Sequence, residues 1–148
     1  MKNIFNSSEQ QELLQRLEKL TSQTKNLWGE MNVSQMLCHC TKAMQMPTGE
    51  LNAKLLPIRF LGQFLKKAVL GEGQMRKNSP TAKELRATGQ HEFDVEKQNF
   101  LRAFERLTKG GEAGAVAEKH PFFGKMEPIE WGRINYKHLD HHFSQFGV

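Results

Sequence analysis

A chain of 148 residues is long enough to bury one hydrophobic core without disulfides or a structural metal, so a single domain over 1–148 is expected. The formal charge of +5 is regional: residues 51–90 hold eight basic residues against two acidic ones, and the rest of the chain is close to neutral. That segment lacks the regular aromatic interleaving of a single-strand binding platform, so no nucleic-acid partner is expected, although it could draw an anionic small-molecule substrate. No apolar run approaches the roughly 20 residues that span a bilayer. Met1-Lys2-Asn3-Ile4-Phe5-Asn6 is too short and polar for a secretion signal, so a cytoplasmic protein without a membrane partner is expected. Cys38 and Cys40 are spaced i, i+2, which on a helix points them to nearly opposite sides, and they are expected to be reduced, buried thiols.

Helical periodicity dominates, and strand signal is scarce. Ser7-Ser8 offers an N-cap with Gln10 or Gln11 as its capping-box partner, and Leu13, Leu14, Leu17 and Leu20 follow at helical spacing, predicting a first helix over about 8–22. After Trp28-Gly29, Asn32 can cap a second helix with Gln35 at N3. Its stripe of Met36, His39, Cys40, Ala43 and Met44 runs to the stop at Pro47.

A long connection over 48–91 comes next. Leu55, Leu56, Ile58, Phe60, Leu61, Phe64, Leu65, Val69 and Leu70 look helical with a break near Pro57, and an irregular stretch from Gly71 to Pro80 follows. A helix packed over the core is expected there rather than one lying on a membrane surface. The third clear helix begins at Asp94, carries Phe100, Leu101, Phe104 and Leu107, and stops at Gly110-Gly111. The fourth starts with Pro128 at N1 and aligns Trp131, Ile134, Asn135, His138, His142 and Gln145, with Glu127 a weak cap. The expected fold is all-α, a four-helix bundle with a long, partly helical connection between helices 2 and 3; bundles build metal sites from inward side chains on facing helices.

The chemistry concentrates in His138-Leu139-Asp140-His141-His142. On a helix, His138 and His142 project from one face about 5 to 6 Å apart at Cβ, within reach of a single metal ion. Burying two imidazoles on the Trp131/Ile134 side without partners is costly, so ligation or hydrogen bonding is expected. A third nitrogen could come from His39, although one histidine on an apolar stripe is more often a satisfied core residue. His141 is turned about 60° from the inward direction and is expected at the surface, while remaining the alternative to His142 as ligand. His120, in the turn His120-Pro121-Phe122-Phe123-Gly124, could act as an acid or base near neutral pH or could orient the loop. His91 has no supportive context.

Taken together, Trp28-Gly29 leading into Met36-Leu37-Cys38-His39-Cys40, the His120–Gly124 loop and the ending His138-Leu139-Asp140-His141-His142-Phe143-Ser144-Gln145-Phe146-Gly147 resemble the DinB/YfiT-like superfamily, in particular its small bacterial branch with an H-P-F-F-G loop. That resemblance covers nearly the full length. It implies a four-helix bundle, often a homodimer, with a divalent metal held by one histidine of the second helix and an H-x-x-x-H pair of the last, here His39, His138 and His142, and with Gln145 matching the family's H-x-x-x-H-x-x-Q ending. Where the family tends to cap the last helix with Ser or Thr, this chain has Glu127.

Related members include transferases and isomerases that use low-molecular-weight thiols. Three neutral imidazoles would leave a coordination position open, as catalytic sites do, either for a water acidified for hydrolysis or for a thiol bound as thiolate. Asn135 and Gln145 are candidates to orient substrate or ligand, and His120 is the candidate proton carrier. The expected activity is a metal-dependent, thiol-linked transferase; the alternatives are a metal-dependent hydrolase and a non-catalytic metal- or ligand-binding bundle. Imidazole suits zinc, nickel, copper and iron, with zinc or nickel expected foremost.

Overall fold

In a computed structural model of the chain, residues 1–54, 59–71, 73–79 and 81–148 are described, with backbone alone at 59–61, 63 and 65. The chain is predominantly helical: α1 (Ser7–Glu18), α2 (Val33–Gln45), α3 (Arg59–Leu70), a 3-10 turn (Lys83–Leu85), α4 (Phe93–Gly114) and α5 (Pro128–Gln145), with two short strands, β1 (Lys119–His120) and β2 (Gly124–Lys125), between the last two helices. No described helix is long and apolar enough to cross a membrane.

Local chemistry sets most of these boundaries. Asn32 caps α2 reciprocally: its side chain accepts from Gln35 N–H at 2.9 Å while Gln35 Oε1 accepts from Asn32 N–H at 3.0 Å. For α5, Pro128 occupies the first turn and the Glu127 N–H donates to Glu130 at 2.9 Å, so the weak cap is reinforced by the residue three positions on. The end of α5 is a Schellman motif, with Gly147 at φ +74°, its N–H on Ser144 O and the Val148 N–H on Phe143 O.

The boundaries of two helices differ from the sequence reading. The cap of α1 is Asn6 rather than Ser7 or Ser8, and the helix stops at Glu18, where the Lys19 and Leu20 N–H groups turn back to Arg16 O and Leu17 O. Leu20 is still buried, but from the turn that follows. Helix α4 starts one residue early, at Phe93, and although helical bonding reaches Gly114, Gly111 breaks it with φ 54° and ψ −148°. The proposed break at Pro57 lies outside the described residues, as do Leu55, Leu56 and Ile58.

The principal core joins Leu13 and Leu17 of α1, Met36, Leu37 and Met44 of α2, Phe100, Phe104 and Leu107 of α4, and Leu139 and Phe143 of α5. Each such side chain contributes roughly 1.5–3 kcal/mol on burial. The leading contact is α2 along α4, and α5 meets α1, α2 and α4. A second cluster, with Trp131, Ile134, Met126, Met46 and Leu85, closes the other end. Helix α3 packs on α5 and β2: Gly62 abuts the Phe122 backbone, Lys66 pairs with Glu130 at 2.8 Å, and Phe64 stays 82% exposed. Both cysteines are buried and free.

Candidate metal centre

Facing stripes of α2 and α5 bring three histidines together. His39 lies on the inner stripe of α2, and the four-residue spacing of His138 and His142 sets both on one face of α5. His39 Nε2 is 2.9 Å from His138 Nε2, and His142 Nε2 is 3.2 Å from the same atom. The three rings are mutually inclined at 55°, 74° and 79°, with centroids 4.6 to 4.8 Å apart, so their nitrogen edges converge rather than their faces. Tetrahedral ligands at 2.0–2.1 Å from one ion would sit about 3.3 Å from each other, close to these spacings.

The outer partners decide where the protons lie. His39 Nδ1 is 2.9 Å from Leu85 O, a carbonyl that can only accept, so Nδ1 carries the hydrogen and Nε2 presents its lone pair. Gln145 Nε2 donates to Trp28 O at 2.7 Å, which turns Gln145 Oε1 toward His142 Nδ1 at 2.9 Å; His142 therefore also holds its hydrogen on Nδ1 and aims a lone pair inward. Two lone pairs thus point at one nitrogen of His138. A single proton on His138 Nε2 can satisfy only one of them, whereas a cation satisfies all three donors. The donor set fits a divalent ion of the zinc type.

His138 itself is partly exposed, although its Nδ1 is buried without a hydrogen-bond partner among the described residues. Burial is the leading cause that lowers the basicity of all three imidazoles, and for His142 it brings the pKa to about 3. All three rings are therefore neutral at pH 7.

The remaining sequence candidates take distinct places. His141 packs edge-on to Trp28, centroids 6.0 Å apart, outside the converging trio. Asn135 is buried, but its side-chain amide donates to Trp131 O within its own helix at 3.0 Å and not to a ligand ring. Gln145 does hold the His142 ring.

His120 lies in the β1–β2 turn against Phe123, Trp131 and Phe122, with centroids at 4.4, 5.3 and 6.0 Å, and its Nδ1 accepts the Phe122 N–H at 3.1 Å. Burial lowers its pKa to about 3, so it is a neutral ring with its hydrogen on Nε2. The ring is thus buried and bonded to the backbone of its own loop. Its charge, if present, would act on His138.

Some of the basic segment is already engaged, with Lys66 on Glu130 and Lys77 stacked 4.1 Å above the Trp28 ring. Sequence reasoning passed over the backbone carbonyls of Leu85 and Trp28, which no residue pattern marks. It also passed over Lys137, whose ammonium is bound by the carbonyls of Val69 and Gly71 at 2.6 and 2.8 Å.

The sequence model of the family described as "Protein of unknown function (DUF1569)" matches residues 4–147, and the chain belongs to that family. No curated protein and no solved structure matches it.

Proposed function

We propose that this DUF1569 member is a divalent-metal protein with a DinB/YfiT-like four-helix bundle formed by α1, α2, α4 and α5, whose ligands are His39, His138 and His142, and that it transfers a low-molecular-weight thiol to a small electrophile. The observation that carries the metal reading is the convergence of three Nε2 atoms at 2.9 and 3.2 Å, with two of the rings held in the ligating tautomer by Leu85 O and Gln145 Oε1. When bound, a divalent ion of the zinc class supplies Lewis acidity and favours an anionic donor such as a thiolate.

The chain's own residues perform the rest. Three neutral ligands leave the positive charge undiminished, which favours an anionic fourth partner over a neutral one. The His120 ring, packed against Phe123 and Trp131, fixes the turn between the two strands and keeps its Nε2–H as a neutral donor. Phe122 and Phe123 of the same loop pack on the Trp131, Ile134 and Met126 cluster.

The test is metal analysis of untagged protein followed by assay of the metal-loaded form with glutathione or bacillithiol and a panel of electrophiles. Thioether product formed by the wild type and lost in His138→Ala is expected. Ester or amide cleavage without thiol transfer would replace the transferase with a hydrolase, and inactivity in both assays would leave a metal-binding module. Metal content unchanged in His138→Ala would remove the centre itself.

A further inference from the structure

The residue next to His39 on α2 belongs to a different group. One ligand atom each of Cys38, His91 and Glu96 lies within 4.8 Å of the others, on the α4 side of α2, and this donor group shares no residue with the three-histidine cluster. Cys38 is held on the rigid α2, Glu96 stands in the first turn of α4, and His91 lies just ahead of that helix. The segment carrying His91 is tied to α2 by Gln35 Nε2 on Gly89 O at 3.0 Å and by Lys42 Nζ on Arg86 O at 2.7 Å. Three different elements thus bring a thiol, an imidazole and a carboxylate to one place.

The His91 ring lies between two acceptors, one of them a carboxylate. Its Nε2 is 3.2 Å from Thr88 O and its Nδ1 is 2.8 Å from Glu96 Oε1, and both partners are acceptors. A neutral imidazole has one N–H to give. Two acceptors thus face one available hydrogen, a shortfall that either a second proton on the ring or a cation bound at Nδ1 and the carboxylate makes good. Asn99 Nδ2 meets the other Glu96 oxygen at 3.3 Å and orients it. A cleft of about 560 Å³ between α2 and α4, lined by Cys38, Glu96 and Glu50 and by Lys42, Arg102 and Arg106, reaches two of the three donors and leaves room for a fourth, solvent ligand.

We infer that Cys38, His91 and Glu96 form a second divalent-cation site, separate from the histidine trio and distinguished by a thiolate ligand. Sulfur, nitrogen and oxygen donors together suit zinc-class ions and disfavour magnesium or calcium, which take oxygen alone. Cys38 binds as thiolate, its proton passing to solvent as the ion enters.

Cobalt(II) alone is the probe, because sulfur bound to cobalt gives near-ultraviolet charge-transfer absorption that nitrogen and oxygen ligands do not. Wild-type protein stripped of metal is expected to take up two equivalents and to develop that absorption. His138→Ala should retain one equivalent with the absorption intact, whereas Cys38→Ser and Glu96→Gln should each lose one equivalent, Cys38→Ser together with all of the absorption. Cys40→Ser, which alters the fully buried neighbouring thiol, should change neither reading. Absence of the absorption in the wild type, or its persistence in Cys38→Ser, would overturn the site and reduce the group to a His91–Glu96 ion pair. Because the histidine trio contains no sulfur, that result would leave the first centre standing.

Discussion

Gln145 Oε1 faces His142 Nδ1 at 2.9 Å, and what keeps it there is the other end of the same amide, donated to Trp28 O at 2.7 Å. The loop before α2 therefore sets the tautomer of His142 on α5. Gly29 is part of that device: it sits at φ +82°, and a Cβ there would run into the Gln145 amide.

Gln145→Leu is expected to weaken metal affinity by about 10- to 100-fold, the usual cost of losing an outer partner, with little loss of helix content. Gly29→Ala should do the same through displacement of Gln145 and should also lower stability by about 1 kcal/mol or more, since alanine is strained at positive φ. Chelator competition together with urea unfolding separates the two effects. Unaltered affinity in Gln145→Leu would mean that the His142 tautomer is set by something other than this amide.

His138→Ala and His142→Ala should each lose stoichiometric metal at the histidine centre, because two imidazoles without the third retain too few donors. His141→Ala should keep it, since that ring leans on Trp28 instead. Elemental analysis of the untagged variants decides, and loss of metal in His141→Ala would show that the wrong face of α5 had been assigned.

The convergence of His39 with His138 and His142 was legible because each lies on the apolar stripe of a helix with clear start and stop signals, Asn32 for α2 and Pro128 for α5. Two inward stripes on helices that pack together leave little room for their histidines except against one another. The α1 cap was misplaced because Asn6, Ser7 and Ser8 are all good capping residues and only tertiary packing chooses among them. The end of α4 was half legible: Gly111 does break the helix, but helical bonding resumes for a turn beyond it.

What the sequence hid was backbone and distance. Leu85 O and Trp28 O are carbonyls, which every residue has, so nothing marked them as the groups that orient two rings. His91 looked isolated because Cys38 is far away along the chain, and the one local signal was Glu96 in the first turn of the helix that follows. Asn135, on the same stripe as the ligands, turned out to bond within its own helix, a common fate for a polar side chain four residues from a carbonyl.

Lys137→Met should test how α3 is held to α5. The Lys137 ammonium is buried between Val69 O and Gly71 O, the carbonyls at the end of α3, where a cation is favoured. Methionine keeps the packing of the stem but not the two bonds, so a loss of roughly 1–3 kcal/mol is expected. Hydrogen exchange of α3 should accelerate while metal content holds. Unchanged protection of α3 would place its anchor elsewhere, on Lys66 and Glu130.

Acid sensitivity follows from His120 and His142, whose pKa values burial lowers from 6.5 to about 3. In the unfolded chain each takes up a proton as the pH falls through about 6.5, while in the folded chain neither does until about 3. Between those limits the unfolded state binds more protons, so stability is full above about 6.5 and declines as the pH drops, by at most about 1.4 kcal/mol per pH unit for each ring. His120→Asn removes one of these groups and leaves a side chain able to accept the Phe122 N–H. Its metal-free stability should therefore fall with pH by about one proton less than that of the wild type across pH 6 to 4. Urea unfolding of both proteins over that range, in chelator, measures the difference. Parallel pH curves would mean that His120 is as free to protonate in the folded chain as in the unfolded one.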